Sequence, residues 1–280
     1  MKFRILPKFS KVGYKGKHYF AGDIIDLLPE YQEQTSWLEA VEPGQVLKIP
    51  PPMFEDLPPT PRGKIEARVL VAIPNIKGND RYSKYLKTVV EAAEKSLEGV
   101  DHEIYVTPPE GGERWLAVVN ALNGAVVKTL KEKWDYLWLI DGDTEVPPWA
   151  LKKLYALDVD LANGFYPLHA NSERVVVGFL QGETKHTMKH RCCLKRSEVE
   201  GKLLSGWVCA GSGCVLIKRR VFEGGLRFDA HQWHGCSFDV VFMWTVQRAG
   251  YVAKVHGGVE CGHLPQWPLD GHGKLKVNEK

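Results

Sequence analysis

Residues 137–146 have the sequence LWLIDGDTEV, an apolar run followed by two aspartates with one glycine between them. A short apolar run that stops at turn-forming residues is typical of a buried strand. The predicted strand ends at Asp141 and Asp143, so two carboxylates lie at its carboxyl end. Such a pair either forms a tight turn or binds a cation.

The residues that follow favour the cation site. Asp-Gly between apolar runs is the strongest short-range signal for a β-hairpin. Here the next residues are TEVPPW, and Pro147 and Pro148 have no backbone N–H with which to pair a returning strand. Two carboxylates about 6–7 Å apart along the chain can face one hard cation. Gly142 has no side chain and lets a diphosphate approach the backbone closely.

Outward from this stretch, apolar runs alternate with helical periodicity. In chain order the pattern predicts a strand at Val69–Ile73, a helix over 82–97, a strand at Glu103–Val106, a helix over 115–130 and a strand at Tyr136–Ile140. Strands that alternate with helices predict an α/β fold with a mostly parallel sheet flanked by helices. Ligands bind beyond the carboxyl ends of the strands in such sheets, which is where Asp141 and Asp143 lie.

Composition divides the chain into three parts. Residues 1–49 alternate short strand-like pieces with glycine turns and predict a small β domain. Residues 50–66 contain six prolines between Pro50 and Pro61 and predict a stiff, extended linker. Residues 67–280 form the predicted α/β domain. The segment YKGKHYFAGDIIDL (14–27) resembles small β modules of phage-encoded proteins.

Charge and hydropathy exclude several classes of protein. The formal net charge of +3 is too small to indicate nucleic-acid binding by itself, although it permits an anionic ligand. No apolar stretch approaches the roughly 20 residues of a membrane helix, and the start, MKFRILPKFS, has no signal-peptide core. We therefore expect a soluble cytoplasmic protein, in the host cytoplasm if a phage encodes it.

The six cysteines, all between positions 192 and 261, are expected to be reduced thiols in such a compartment. A structural zinc site is the alternative, because His186, His190, Cys192 and Cys193 have soft-ligand character. The remaining cysteines could complete that site, but no CxxC pair is present; they are Cys209, Cys214, Cys236 and Cys261.

From about Val69 to His263 the chain resembles the nucleotide-sugar glycosyltransferases of the GT-A fold, especially family 2. The motifs that carry the resemblance are VLVAIPN (69–75), NALNGAVV (120–127), YLWLIDGD (136–143), GSGCVLIKRRVFE (211–223), SFDVVFMWTVQRAGY (237–251) and VECGH (259–263). Their order and spacing together make the resemblance specific. It implies a GT-A domain after the small β module.

The resemblance implies a donor and cation site. Asp143 would bind Mn²⁺ or Mg²⁺ directly, and Asp141 would hold the ribose or a metal-bound water. His263 would complete the metal site, with His256 as the fallback ligand; a surface imidazole without such a role is the alternative for His263. The other residues implied to bind the nucleotide-diphosphate sugar, with Gly142, are Pro74, Asn75, Arg114, Asn120 and Asn123. Solvation of a helix face is the alternative for those on the second helix.

The resemblance also implies a catalytic base in SFDVVF. Relatives have an adjacent Glu-Asp pair there, whereas this chain has Phe238 and Asp239, so only the aspartate is present to act as base. A helix cap is the alternative role for Asp239. Residues predicted on the acceptor side are Trp207, Gly211, Ser212, Gly213, Trp233 and His234, with His231 near them; core or loop packing is the alternative for the aromatics. WVCAGSGCVLI should be one strand whose glycines allow a ligand close to the backbone.

Together these expectations describe a metal-dependent, inverting glycosyltransferase. The donor would be a nucleotide sugar, by default a uridine diphosphate sugar, and the acceptor either a hydroxymethylated base in viral DNA or a glycan. Two alternatives stay open. A phosphohydrolase of the haloacid dehalogenase type also ends a strand in DxD, and a zinc-stapled binding module would use the His/Cys region without catalysis.

Overall fold

The computed structural model describes residues 2–5, 11–14, 17–20, 24–26, 38–40, 51, 53–59, 63–76, 80–108, 114–169, 172–181, 189–191, 193–230 and 237–264. In the first part of the chain, short strands pair with one another. They are β1 (Lys2–Ile5), β2 (Lys11–Tyr14), β3 (Lys17–Phe20), β4 (Ile24–Asp26) and β5 (Leu38–Ala40). β4, β1 and β5 form one antiparallel sheet, and β2 pairs with β3. The division into domains at residues 49 and 67 stays a prediction, although a strand within residues 50–66 pairs with the main sheet, as described below.

The remaining elements alternate between strands and helices. In chain order they are β6 (Met53–Asp56), β7 (Arg68–Ile73), α1 (Asp80–Ser96), β8 (Asp101–Val106), α2 (Arg114–Lys131), β9 (Tyr136–Ile140), β10 (Thr144–Glu145), α3 (Ala150–Tyr155), β11 (Leu161–Phe165), β12 (Val177–Gln181), β13 (Lys189–Arg191), α4 (Arg196–Val199), β14 (Lys202–Ser205), β15 (Val208–Ala210), β16 (Cys214–Lys218), α5 (Arg219–Glu223), α6 (Phe238–Arg248), β17 (Ala253–Glu260) and β18 (Gly262–His263). The predicted order from β7 to β9 is confirmed.

Eight strands form the main sheet in the order β6-β14-β17-β11-β16-β9-β7-β8. β7 is parallel to β8 and β9, and β11 is parallel to β17. β16 lies antiparallel between β9 and β11, so these two strands point the same way and end at the same edge. Only β14 and β16 of this described sheet run against the others, which confirms the predicted mostly parallel α/β arrangement.

Both faces of the main sheet are covered, which explains the unbroken apolar run of β9. Leu137 and Leu139 pack into one core with α2 and α6. Trp138 and Ile140 pack into a second core on the opposite face, with α1 and α3. A strand buried on both faces needs apolar residues at every position, because successive side chains point to opposite sides.

One strand of the main sheet lies inside the segment predicted as a linker. β6 pairs antiparallel with β14 at the edge of the sheet. Ser205 donates a hydrogen bond to Glu55, and Lys254 Nζ lies 3.4 Å from Glu55 Oε2. Met53–Asp56 is therefore part of the main fold, because its extended backbone supplies the hydrogen bonds that β14 needs.

The run WVCAGSGCVLI forms two strands, which corrects the prediction of one. β15 pairs with β12, which in turn pairs with β13 in a separate three-stranded sheet, whereas β16 belongs to the main sheet. The turn at Gly211–Gly213 lets the chain change sheets. Among the described helices, none has the length and apolar character needed to cross a membrane.

Candidate active site

The topology brings several chain segments to one edge of the main sheet. The residues after β9, β11 and β17 lie there because those strands end at this edge. β16 runs the opposite way and starts there. Asp141 and Asp143 follow β9, Tyr166 follows β11, and His263 follows β17. The Gly211–Gly213 turn precedes β16.

The two aspartates of the DGD motif lie in a turn that does not return to β9. Thr144 N–H donates to Asp141 O at 3.0 Å, which closes the turn. β10 then pairs with β18 rather than with β9. The arrangement is therefore not the hairpin considered from the sequence, and the backbone of Asp143 is fixed by the N–H of Leu264 at 2.8 Å.

Asp141 contacts the turn before β16. Its backbone N–H donates to Gly213 O at 3.3 Å, and Ser212 Oγ donates to its two carboxylate oxygens at 3.3 and 3.4 Å. Burial, followed by the charges of Asp143 and Asp239, raises the pKa of Asp141 to about 7. Burial and the neighbouring negative charges disfavour the ionised form of this carboxyl group. A bound cation would stabilise that ionised form.

His263 faces Asp143 across the β10–β18 pair. Its Nε2 is 3.7 Å from Asp143 Oδ2, and its Nδ1 is 2.9 Å from Pro167 O. Burial would lower the pKa of His263, but the hydrogen bond and charge of Asp143, with Pro167 O, outweigh burial and raise it. The carbonyl of Pro167 accepts a hydrogen bond from Nδ1–H, so Nε2 is the nitrogen that can coordinate a cation.

Asp143 and His263 fit the role of metal ligands. Cation–ligand distances of about 2.0–2.2 Å let two ligands of one cation lie up to about 4.4 Å apart, and the observed separation is 3.7 Å. The carbonyl on Nδ1 is the outer contact that metal-binding histidines typically have. Within the described ranges, no three His, Cys, Asp or Glu side chains converge into a complete metal cage. Substrate oxygens and water would be further ligands of a cation here.

Asp239 lies in the first turn of α6. Its Oδ1 accepts hydrogen bonds from Ser237 Oγ and, at 2.8 Å, from the backbone N–H of Val240. Burial raises the pKa of Asp239, opposed by these donors and by the backbone N–H of Ser212. The carboxylate therefore contacts the first turn of the helix, whose N-cap residue is Ser237, and also borders the same turn as Asp141; its role as cap or base stays a prediction.

Tyr166 is a site residue that the sequence did not predict. Its side chain is buried, and its ring packs edge-to-face on His263 with centroids 5.3 Å apart. Burial, followed by Asp141, Asp239 and Asp143, raises the pKa of Tyr166, so the hydroxyl stays protonated. Its sequence signal was the aromatic residue directly after the apolar run LANGF, at the end of a further strand.

The predicted donor-binding residues have different surroundings. Pro74 is buried after β7, and Asn75 N–H donates to Thr107 Oγ1 at 2.9 Å. Asn123 is occupied at both ends of its amide, since Nδ2 donates to Phe228 O at 3.0 Å and Phe228 N–H donates to Oδ1 at 3.1 Å. Asn120 is exposed and Gly142 is buried, whereas the side chain of Arg114 is outside the described residues. Donor binding by this set stays a prediction.

The predicted acceptor side is only partly described. Trp207 is buried in a small core with Trp244 and Val241 of α6, which is the core packing that the sequence left as its alternative. Trp233 and His234, with His231, lie outside the described residues. The glycines at 211 and 213 make room for a side chain of the protein itself, because a Cβ at either would collide with the ring of Tyr166.

The fallback metal ligand and three of the four described cysteines lie in the core. His256 is 2% exposed in β17, accepts a hydrogen bond from Gly258 N–H at 3.0 Å on Nδ1, and pairs in register with Leu203. Cys209, Cys214 and Cys261 are buried free thiols, and Cys193 is a partly exposed one. Side chains of the other predicted zinc ligands are outside the described residues: His186, His190, Cys192 and Cys236.

Comparison with known proteins gives distant structural likenesses. No family model and no curated protein matches the chain. A197 from STIV has 16% sequence identity and a TM-score of 0.46, over 70% of this chain and 85% of that one. GalNAc-T7 with UDP, GalNAc and Mn²⁺ has 13% sequence identity and a TM-score of 0.44, over 72% of this chain and 44% of that one. The catalytic domain of Drosophila β1,4-galactosyltransferase 7 with xylobiose has 13% sequence identity and a TM-score of 0.41, over 68% of this chain and 64% of that one. At these values the likenesses assign no activity to this chain.

Proposed function

We propose that this protein is a metal-dependent glycosyltransferase that moves a sugar from a nucleotide-diphosphate donor to an acceptor hydroxyl. The observation that supports this most is the gathering of Asp141, Asp143 and His263 at the carboxyl edge of the sheet, with Asp239 close enough to raise the pKa of Asp141. Ligands bind at this edge in α/β sheets. The motif order of the GT-A resemblance supports the same assignment.

Asp143 and His263 would hold Mn²⁺ or Mg²⁺, and Asp141 would bind the ribose or a metal-bound water. The cation, when bound, supplies the positive charge that neutralises the diphosphate leaving group. The chain contributes rigidity, because the β10–β18 pair and the contact between His263 and Pro167 O hold both ligands in place.

Asp239 would act as the base. Its carboxylate takes the proton from the acceptor hydroxyl as the oxygen attacks the anomeric carbon. The bond from that carbon to the diphosphate oxygen breaks, and its electron pair leaves with the diphosphate. A single displacement of this kind inverts the anomeric centre, and no covalent enzyme intermediate is needed. Burial raises the pKa of Asp239, which makes it a stronger base than an exposed aspartate.

The acceptor would be a hydroxymethylated base in viral DNA or a glycan. A hydroxymethylated base in viral DNA and a glycan both present a hydroxyl of suitable chemistry. The mild net charge of +3 and the aromatic and histidine residues near 231–234 motivated the DNA acceptor. No contact among the described residues favours DNA over a glycan, so both belong in the test. If the protein does not bind modified DNA at low salt, the DNA acceptor is excluded.

A panel of nucleotide sugars with Mn²⁺ or Mg²⁺, scored by thermal shift and by donor hydrolysis, tests the proposal. A donor that binds the native state raises the apparent stability even when no acceptor is present. The expected result is a metal-dependent shift with one donor, lost in Asp143→Ala and kept in Glu98→Ala, an exposed control.

The same panel distinguishes the two alternatives. Hydrolysis of an activated phosphate ester without donor binding would support the phosphohydrolase. Stoichiometric zinc without turnover of any donor would support the binding module. Either result would contradict the proposed transferase.

A further inference from the structure

Tyr166 contacts the candidate cation site with one side of its ring. The ring lies edge-to-face on His263 at 5.3 Å, and the next residue, Pro167, accepts the hydrogen bond from His263 Nδ1. The imidazole is therefore oriented by two consecutive residues of the segment after β11. Both contacts act on the ligand rather than on the cation.

The hydroxyl end of Tyr166 fits into the turn before β16. A Cβ at Gly211 would lie 1.8 Å from the tyrosine oxygen, and a Cβ at Gly213 would lie 2.6 Å from ring atom Cε1. Real Cβ atoms do not approach other atoms this closely, so both positions require glycine while the tyrosine is present. The backbone N–H of Gly213 faces the hydroxyl oxygen and partly offsets the rise in the pKa of Tyr166 that burial causes. The ring thus determines where this turn lies.

The same turn contacts both functional carboxylates. Ser212 Oγ donates to Asp141 at 3.3 Å, and the backbone N–H of Ser212 faces the carboxylate of Asp239 and opposes the rise in its pKa. Gly213 O accepts the N–H of Asp141 at 3.3 Å. One buried aromatic ring therefore connects His263 with a turn that touches Asp141 and Asp239.

We propose that Tyr166 is a positioning residue that sets the placement of the base Asp239 relative to the cation site of Asp143 and His263. This inference rests on the proposed function. The ring holds the ligand histidine, and the hydroxyl holds the Gly211–Gly213 turn. The two parts of the side chain therefore have separable effects, one on donor binding and the other on transfer.

Tyr166→Phe separates the two parts because it keeps the ring and removes the hydroxyl. Donor affinity with Mn²⁺ should stay within about threefold of the wild type, since the contact with His263 remains. The kcat for donor hydrolysis should fall by at least about tenfold, because displacement of a reacting group by 1 Å can cost about 100-fold. Tyr155→Phe, outside the site, is the matched control and should change neither quantity.

Gly211→Ala tests the same contact from the other side and keeps the test independent of one variant's folding. It should lower kcat by displacing the hydroxyl. The loss should be smaller when Gly211→Ala is introduced into Tyr166→Phe, because the oxygen that the new Cβ meets at 1.8 Å is gone. Additive losses would contradict the coupling.

The outcomes distinguish this inference from the proposed function. A wild-type protein that binds and hydrolyses no donor overturns the proposed function, and this inference with it. A wild-type protein that binds and hydrolyses a donor, with Tyr166→Phe keeping the wild-type kcat, overturns the role of Tyr166 alone. A fall in donor affinity equal to the fall in kcat would show that the residue only supports the cation site.

Discussion

Asp239 contacts the first turn of its own helix and also lies near Asp141 of the candidate site. Its Oδ1 accepts from Ser237 and Val240 at the start of α6, and its charge acts on Asp141 and Tyr166. A capping carboxylate needs only an acceptor oxygen, whereas a general base needs a carboxylate that can take a proton. A single isosteric substitution distinguishes these two requirements.

Asp239→Asn should leave the fold and donor binding unchanged and stop transfer. The asparagine Oδ1 can accept both hydrogen bonds, but the amide cannot act as a base, so we expect the rate to fall by at least about 100-fold. Metal-dependent thermal shift with the donor, measured beside the transfer rate, checks this. Transfer at the wild-type rate would show that the base lies elsewhere.

Acid stability should depend on the buried His256. Burial, followed by the charge of Lys153, lowers the pKa of His256 to about 4, whereas its pKa in the unfolded chain is near 6.5. Between these values the unfolded chain binds a proton that the folded protein does not, so this histidine makes stability fall as the pH falls from about 6.5 to about 4.

His256→Asn removes this titration and keeps an acceptor for Gly258 N–H. As the pH is lowered from about 6.5 to about 4, the free energy of unfolding of the wild type should fall by about 3 kcal/mol relative to that of the variant. Denaturant unfolding at a series of pH values measures the difference. His102→Asn, at an exposed position of β8, is the control, and a parallel pair of curves for wild type and His256→Asn would contradict the assignment.

α2 and the segment before α6 are joined by Asn123. Its amide exchanges two hydrogen bonds with the backbone of Phe228, whose ring stacks on Phe242 of α6 with centroids 4.0 Å apart. Phe238 at the start of α6 packs against Phe228 and against Trp115 of α2. The placement of the helix that carries Asp239 therefore depends on this asparagine and the aromatic rings around it.

Asn123→Ala should destabilise the protein by about 2 kcal/mol, because two backbone groups of Phe228 lose their partners. If the asparagine also binds the donor, as the sequence predicts, the KM for the donor should rise as well. Chemical denaturation and donor kinetics check the two effects separately. Lys131→Ala, at an exposed position of the same helix, is the control, and an unchanged stability of Asn123→Ala would contradict the structural role.

The elements near the DGD motif were predictable from sequence because their patterns are local. Apolar runs bounded by turn residues indicate β7 and β9, and helical spacing indicates α1 and α2. The role of Asn123 was not predictable, since its hydrogen-bond partner is 105 residues away along the chain. The split of the glycine-containing run into β15 and β16 was missed because it depends on pairing with strands that are distant in sequence, β12 for β15 and β9 and β11 for β16.

The structure places the charged residues of the predicted site near one another, but their functional roles stay a prediction, and the packing around them was not predicted. Asp141, Asp143 and His263 follow from strand ends and from the family resemblance, and the structure brings them together. Tyr166 had no motif of its own, because nothing in a single sequence reveals which glycines a ring will contact. Trp207 and His256 are likewise buried in cores and are not exposed on a ligand-binding surface.

Taken as a whole, the main sheet extends beyond the predicted domain boundary. β6 completes the edge next to β14, and Phe54 packs edge-on against Phe179 at 5.5 Å. Without β6, the edge of β14 would expose backbone groups to water and to other chains. A boundary placed at residue 67 would therefore remove a strand that the sheet uses.

Two shortened chains test where the fold begins. A chain that starts at residue 51 should keep the stability of the α/β part, whereas one that starts at residue 60 should lose a few kcal/mol, at about 1 kcal/mol for each lost hydrogen bond of β6. Unfolding by denaturant gives both values. Equal stability of the two chains would show that β6 contributes nothing, and Glu55→Ala in the longer chain isolates its side-chain contacts.

The pairing of β10 with β18 also has a consequence for the time course of folding. Thr144 lies opposite His263, about 120 residues later in the chain. Contacts between such distant positions close late, since a long loop must lose its entropy before they form. During synthesis on the ribosome, Asp141 and Asp143, which follow β9, therefore emerge well before His263. Acquisition of metal affinity should be among the last events of refolding, after most of the helical signal has returned.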